Sequence, residues 1–70
     1  MRIVELTREP VELYKILKFE GLVSSGGEAK LFIAEGEVLV NGEVETRRRK
    51  KIRHGDVIEF RGEKIETRLV

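Results

Sequence analysis

Val38-Leu39-Val40-Asn41-Gly42-Glu43-Val44-Glu45 is the segment that most restricts how this chain can fold. A two-residue hairpin needs positive φ at both central turn positions, and Asn followed by Gly accepts that conformation. Valines and a leucine on either side supply the two strands. Val38 and Val40 are expected to share one face of the sheet, with Val44 joining them from the returning strand.

Upstream, Ser25-Gly26-Gly27-Glu28 has the spacing of a capping box. The serine oxygen accepts from the third N–H, and the glutamate reaches back to the serine N–H. Ala29, Phe32 and Ile33 form an apolar stripe with Leu31 and Ala34 nearby, and Gly36 ends a helix spanning about 26–35. Two glycines in the first turn weaken it by up to ~1 kcal/mol each relative to alanine. They point to a close backbone approach, to a neighbouring helix before a phosphate. An earlier helix over 10–20 follows from Pro10 and the acidic Glu9 and Glu12 at its start. Leu13, Ile16 and Leu17 recur at helical spacing with Tyr14 beside them, and Gly21 stops the run. Residues 2–6 form a first strand, and the short link between the helices makes them antiparallel or steeply crossed.

Downstream, Ile52 is an isolated apolar anchor, His54-Gly55-Asp56 a turn and Val57–Phe60 a strand. Arg61-Gly62-Glu63 turns again, and residues 64–69 alternate as a last strand. The expectation is an α+β fold of two helices and four or five short strands in one domain, 1–70, without repeat or linker.

Seventy residues is near the lower end of what folds alone. There is no cysteine and one histidine, which excludes a disulfide framework and argues against a structural metal. No cofactor is implied. The opening MRIVELTREP lacks the apolar stretch of a secretory signal, and no segment has the length of a membrane span. A soluble, cytoplasmic protein is the expectation.

Net charge is only +1, but it is unevenly placed. Six of the fourteen Lys and Arg residues lie between Arg47 and Arg53, and no acid occurs from Thr46 through Gly55. The remainder carries eight basic and thirteen acidic residues. Such a polarised molecule meets a polyanion in one orientation, because local field steers encounter. Arginine forks and lysine point charges suit phosphate oxygens, and in an extended loop or strand edge alternate side chains would face one way. The same run could instead be a solvated loop, or an edge that blocks strand-to-strand association. Nucleic acid is the favoured ligand, and charge does not choose RNA over DNA.

Other candidates are weaker. His54 has no nucleophile or second partner nearby in sequence and is read as a turn residue. Ser24–Gly27 lacks the lysine and the spacing of a P-loop. Glu43 and Glu45 are exposed on a strand without a cleft. Phe32 is assigned to the core, while Tyr14 and Phe19 stay open as base-stacking residues. No catalytic constellation is present, and no enzyme is expected.

Taken together, Leu13…Leu17…Gly21, Ser24-Ser25-x-x-Glu28-Ala29-Lys30, Ile33…Gly36-x-Val38-x-Val40-Asn41-Gly42 and Gly55-Asp56-Val57-Ile58 resemble the S-four RNA-binding domain. The likeness covers about residues 12–60. The short length, the GGEAK helix start and the ETRRRKK run look closer still to its small stand-alone bacterial members, the YbcJ-like and YaaA-like proteins. The resemblance implies the αL RNA-binding motif: two packed N-terminal helices against a small, bent, mainly antiparallel sheet. It implies structured RNA of the rRNA or tRNA class as ligand, with ribosome or RNA-processing proteins as partners and a monomeric state. Lys30 matches a usual basic position on the second helix, and Asn41 and Gly42 match the family turn. Many members carry Arg where this chain has Gly26, and often where it has Glu12. Binding is therefore expected to shift toward the hairpin side, through Arg47, Arg48, Arg49, Lys50, Lys51 and Arg53. Lys15, Lys18, Lys30 and Asn41 complete the expected RNA-binding set, with no catalytic or metal-ligating residue. The alternative is a protein-interaction adaptor that docks an acidic partner on the same basic edge.

Overall fold

The computed structural model describes residues 1–70. In chain order it contains β1 (Arg2–Leu6), β2 (Val11–Glu12), α1 (Leu13–Phe19), α2 (Gly26–Ala34), β3 (Val38–Val40), β4 (Glu43–Val44), β5 (Lys51–Ile52), β6 (Val57–Phe60) and β7 (Glu63–Leu69). Five strands form one sheet in the order β1-β7-β6-β3-β4, and β2 with β5 forms a separate two-stranded piece. Neighbours run antiparallel except β1 and β7, which are parallel. This is the expected α+β arrangement of two helices on a mainly antiparallel sheet.

The Asn-Gly turn forms as its residues require, with φ of 53° at Asn41 and 84° at Gly42. A two-residue loop makes Val40 the partner of Glu43 and Leu39 the partner of Val44. Cross-strand partners share a face, so Val44 lies with Leu39 and not with Val38 and Val40. It is 60% exposed, which corrects the expectation that it joins them.

Inward residues of the sheet (Val4, Leu6, Val38, Val40, Ile58, Phe60, Ile65) meet Leu13, Ile16 and Leu17 of α1 and Ala29 and Ile33 of α2 in one core cluster. Ile52 is fully buried in it, as its isolation between charged residues suggested. Phe32 is only half-buried at the margin. Its ring is tilted against Phe60 at 5.5 Å between centroids, with the Arg61 guanidinium 4.3 Å from its own centroid. The one buried polar side chain is Thr67. Its hydroxyl lies 2.7 Å from the Arg53 carbonyl and 3.0 Å from that of Asp56, which ties the 53–56 turn to β7.

The first helix is shorter than expected. Val11 and Glu12 are extended and pair with Ile52 and Lys51, so α1 starts at Leu13 and Pro10 lies in the irregular segment before β2. The N–H groups of Leu13 and Tyr14, which have no partner inside the helix, donate to the carbonyls of Lys50 at 2.9 Å and Arg48 at 3.1 Å. A strand pairing thus displaced the first turn that Pro10 and its acidic neighbours favoured.

The second helix begins as expected. Ser25 Oγ accepts from the Glu28 N–H at 3.1 Å, while the Glu28 carboxylate accepts from the Ser24 N–H at 2.8 Å, one residue earlier than in a standard capping box. Close packing does not explain the glycines there. A Cβ on Gly26 would sit 3.8 Å from the Tyr14 ring and one on Gly27 would sit 3.9 Å from Ser25 Oγ, both ordinary contacts.

Two stability measurements follow. Chemical denaturation of Ile52→Ala should show a loss of about 2–5 kcal/mol, as for other fully buried isoleucines truncated in a core. Gly27→Ala should gain up to about 1 kcal/mol, because the methyl meets no obstacle and alanine loses less backbone entropy.

Candidate functional site

The basic run leaves β4 and reaches β5 through a tight turn, not through an extended stretch with alternating side chains. The Lys50 N–H donates to the Arg47 carbonyl at 3.1 Å, which puts Arg48 and Arg49 at the two corners. The carbonyls of Arg48 and Lys50 face inward to the start of α1. With the backbone turned in and held, the side chains of Arg48 and Arg49 are left exposed.

Across from this turn lies α2, and between them runs an open groove of about 740 Å³. Lys30, Ala34, Thr46 and the five residues Arg47, Arg48, Arg49, Lys50 and Lys51 line it. Six of these eight are cationic, so the groove is a concentrated positive surface. Lys30 Nζ also sits 4.8 Å from the centre of the Tyr14 ring, a contact that holds the ammonium beside the groove.

Two carboxylates interleave with the cations. Glu45 accepts from Arg47 Nε at 2.9 Å and Nη2 at 3.1 Å, a bidentate fork, and from the Arg47 N–H at 3.0 Å. The side-chain hydrogen bond from Arg47 holds the Glu45 carboxyl below its ordinary range, against the opposing effect of burial, and raises the Arg47 guanidinium in return. Glu12 lies 3.6 Å from Arg49 and 3.4 Å from Lys15. Lys30, Arg48, Lys50 and Lys51 form no ion pair. The stretch that looked free of compensating acids in sequence is therefore partly paired in space.

The remaining expected site residues lie elsewhere. Lys15 and Lys18 project from α1 into a second groove, between that helix and β1. Arg53 is outside the basic groove, at the start of a turn: its N–H donates to the Asp56 carboxylate at 2.8 Å. Asn41 is committed to the fold. Its amide donates to Asp56 Oδ1 at 3.0 Å and accepts from the Val57 N–H at 2.9 Å, which joins two turns. His54 is likewise engaged, with Nδ1 accepting from the Leu69 N–H at 3.0 Å.

The site residues that sequence reasoning missed are Glu12, Glu45, Ala34 and Thr46, while Tyr14, open there as a stacking residue, lies against Lys30. Adjacency to Arg47 was a signal for Glu45 and Thr46. Nothing local marked Glu12, since its meeting with Arg49 depends on the pairing of β2 with β5.

Comparison with known proteins gives a consistent picture. A family model described as the S4 domain matches residues 4–68. A protein of Escherichia coli named "Putative RNA-binding protein YbcJ" is 49% identical over 57 residues, covering 81% of each chain. One of Bacillus subtilis named "Probable ribosome maturation protein RlbA" is 42% identical over 59 residues, 84% of this chain and 83% of its own. The solution structure of YbcJ from E. coli, described as revealing an αL motif involved in RNA binding, superposes with a TM-score of 0.74 at 43% identity. That match covers 97% of this chain and 87% of the other.

The lowered carboxyl of Glu45 sets a pH expectation. Because the folded value lies below the unfolded one, the contact contributes above the ordinary carboxylate range and is lost as pH falls through the folded value. The Arg47 Nε–H resonance should therefore be sharp and protected near neutral pH. It should lose that protection in strong acid, or at any pH in Glu45→Ala, which has no side-chain acceptor.

Proposed function

The chain belongs to the S4 domain family, and on that premise we propose that it is a non-enzymatic RNA-binding module acting as a monomer through one domain, residues 1–70. The observation that carries this reading is the groove lined by Lys30 and Arg47–Lys51, whose cationic turn is fixed to the start of α1 by backbone hydrogen bonds. Lys30, Arg48, Lys50 and Lys51, which no carboxylate holds, are the phosphate contacts. Arg47 and Arg49 are held on one side by Glu45 and Glu12 and turn their remaining N–H groups to the ligand. Phosphate neutralisation of this kind releases counterions, so binding weakens steeply with salt.

Structured RNA of the rRNA or tRNA class is the ligand, in the cytoplasm and in the service of ribosome maturation. The name of the E. coli relative supports RNA as the ligand, and that of the B. subtilis relative supports a place in ribosome maturation. Double-stranded RNA shows side chains little of its base edges, so recognition rests on shape and phosphate position. A turn that keeps its form before the ligand arrives suits that task, because little ordering remains to be done on binding.

The test is a salt titration of binding to an RNA hairpin and a matched DNA duplex. Four to six phosphate contacts should give a log–log slope of about −3 to −5, and Arg48→Ala should flatten it by about one contact. The RNA should bind more tightly than the DNA. Charge reversal at Arg48 or Lys50 should weaken the hairpin complex more than reversal at Lys15. Equal effects at the three positions, or no binding at low salt, would remove the basic groove from the reading.

A further inference from the structure

We propose that the outer face of α1 is a second nucleic-acid contact, which takes an unpaired strand emerging from the RNA held in the basic groove. Leu13, Ile16 and Leu17 are the buried residues of α1. At 100° per residue, Tyr14, Lys15, Lys18 and Phe19 therefore fall together on the opposite side. Tyr14 and Lys18 are four apart, as are Lys15 and Phe19, so each aromatic ring neighbours a cation along the surface. Phe19 is 69% exposed, although full burial of a phenylalanine is worth about 1.5–3 kcal/mol. No core demand explains a ring left in water at that position.

These side chains line a groove of about 610 Å³ between α1, the preceding segment and β1, and Arg8 lies on its wall. Two of the acids on that wall are already paired, Glu12 with Lys15 and Arg49 and Glu20 with Arg2. Arg8 and Lys18 are in no ion pair, and only Glu5 opposes them on the groove wall. Aromatic platforms set among cations are what a single strand requires, because every base has a face to stack and every linkage a charge to neutralise.

Tyr14 stands between the two grooves: its N–H is bonded to the Arg48 carbonyl, its partly buried ring lies 4.8 Å from Lys30 Nζ, and the residue lines the second groove. A strand leaving the basic groove past Lys30 meets Tyr14 first and Phe19 five residues further along α1, about 1.4 helical turns on. This inference rests on the RNA reading above and adds the class of RNA: a structured element flanked by unpaired nucleotides.

The experiment compares a blunt RNA hairpin with the same hairpin carrying an unpaired tail of about six nucleotides, on the 5′ or the 3′ side, within the site sizes of single-strand grooves. A tail on one side should tighten binding by about fivefold or more, the lower end of what one stacked base contributes. Phe19→Ala and Phe19→Leu should abolish that gain and leave blunt-hairpin affinity unchanged, which also shows the variants are folded. Phe19→Tyr should keep it. A tail that adds nothing on either side would overturn the proposal, as would a gain that survives in Phe19→Leu. Unchanged affinities for every RNA in Phe19→Ala would likewise overturn it. Failure of the blunt hairpin to bind would count against the basic groove alone. The free tail then decides the second contact: Phe19-dependent binding supports it, and none overturns it.

Discussion

Two backbone hydrogen bonds, from the Leu13 and Tyr14 N–H groups to the carbonyls of Lys50 and Arg48, hold the functional end of this molecule together. A helix start leaves donors without partners, and a turn dense in positive charge has no reason of its own to stay folded against a protein surface. Each supplies what the other lacks. The two-residue pairing of Val11 and Glu12 with Ile52 and Lys51 brings them into register, and the buried Ile52 side chain anchors it. Remove that register and the six cations of the groove are no longer one surface.

The same contact explains why carboxylates can stand inside a surface read as phosphate-binding. Ion pairs at exposed positions contribute at most about 1 kcal/mol to stability. Glu12 and Glu45 are better understood as positioning groups. A guanidinium held along one edge keeps its plane and presents the other, whereas a free arginine samples many rotamers. Lysines, with a point charge on a flexible stem, gain less from such holding. Of the residues in the basic turn, Arg47 is held by the Glu45 fork and Arg49 lies 3.6 Å from Glu12, which it shares with Lys15 at 3.4 Å, while Arg48, Lys50 and Lys51 are free.

Much of the architecture was legible along the chain because its signals are local. Asn41-Gly42, the Ser25 cap on the Glu28 N–H, the valine-rich strand of β3 and the alternation of β7 each act over a few residues, and each forms where expected. Two expectations fail for different reasons. The face of Val44 follows from the two-residue loop, which makes Leu39 its partner and sets it apart from Val38 and Val40. The start of α1 moves from Pro10 to Leu13 because local helix-start preferences lose to a pairing with β5, about forty residues along the chain. At the site, the basic run and Lys30 were readable as charge, but Asn41 and Arg53 were not separable from them. Asn41 is engaged by Asp56 across the fold, and Arg53 is set outside the groove by the turn in which its N–H meets the Asp56 carboxylate.

By itself the sequence determined the hairpin register, the apolar faces of the two helices and the concentration of positive charge in one segment, because short-range sterics and hydrophobic period decide these. Only the tertiary structure decided that the basic segment is a turn and that its carbonyls cap α1. It also decided that Glu12 reaches Arg49, and that Tyr14 stands between two grooves. Those outcomes depend on which distant backbone groups satisfy one another, and no local pattern of side chains encodes that choice.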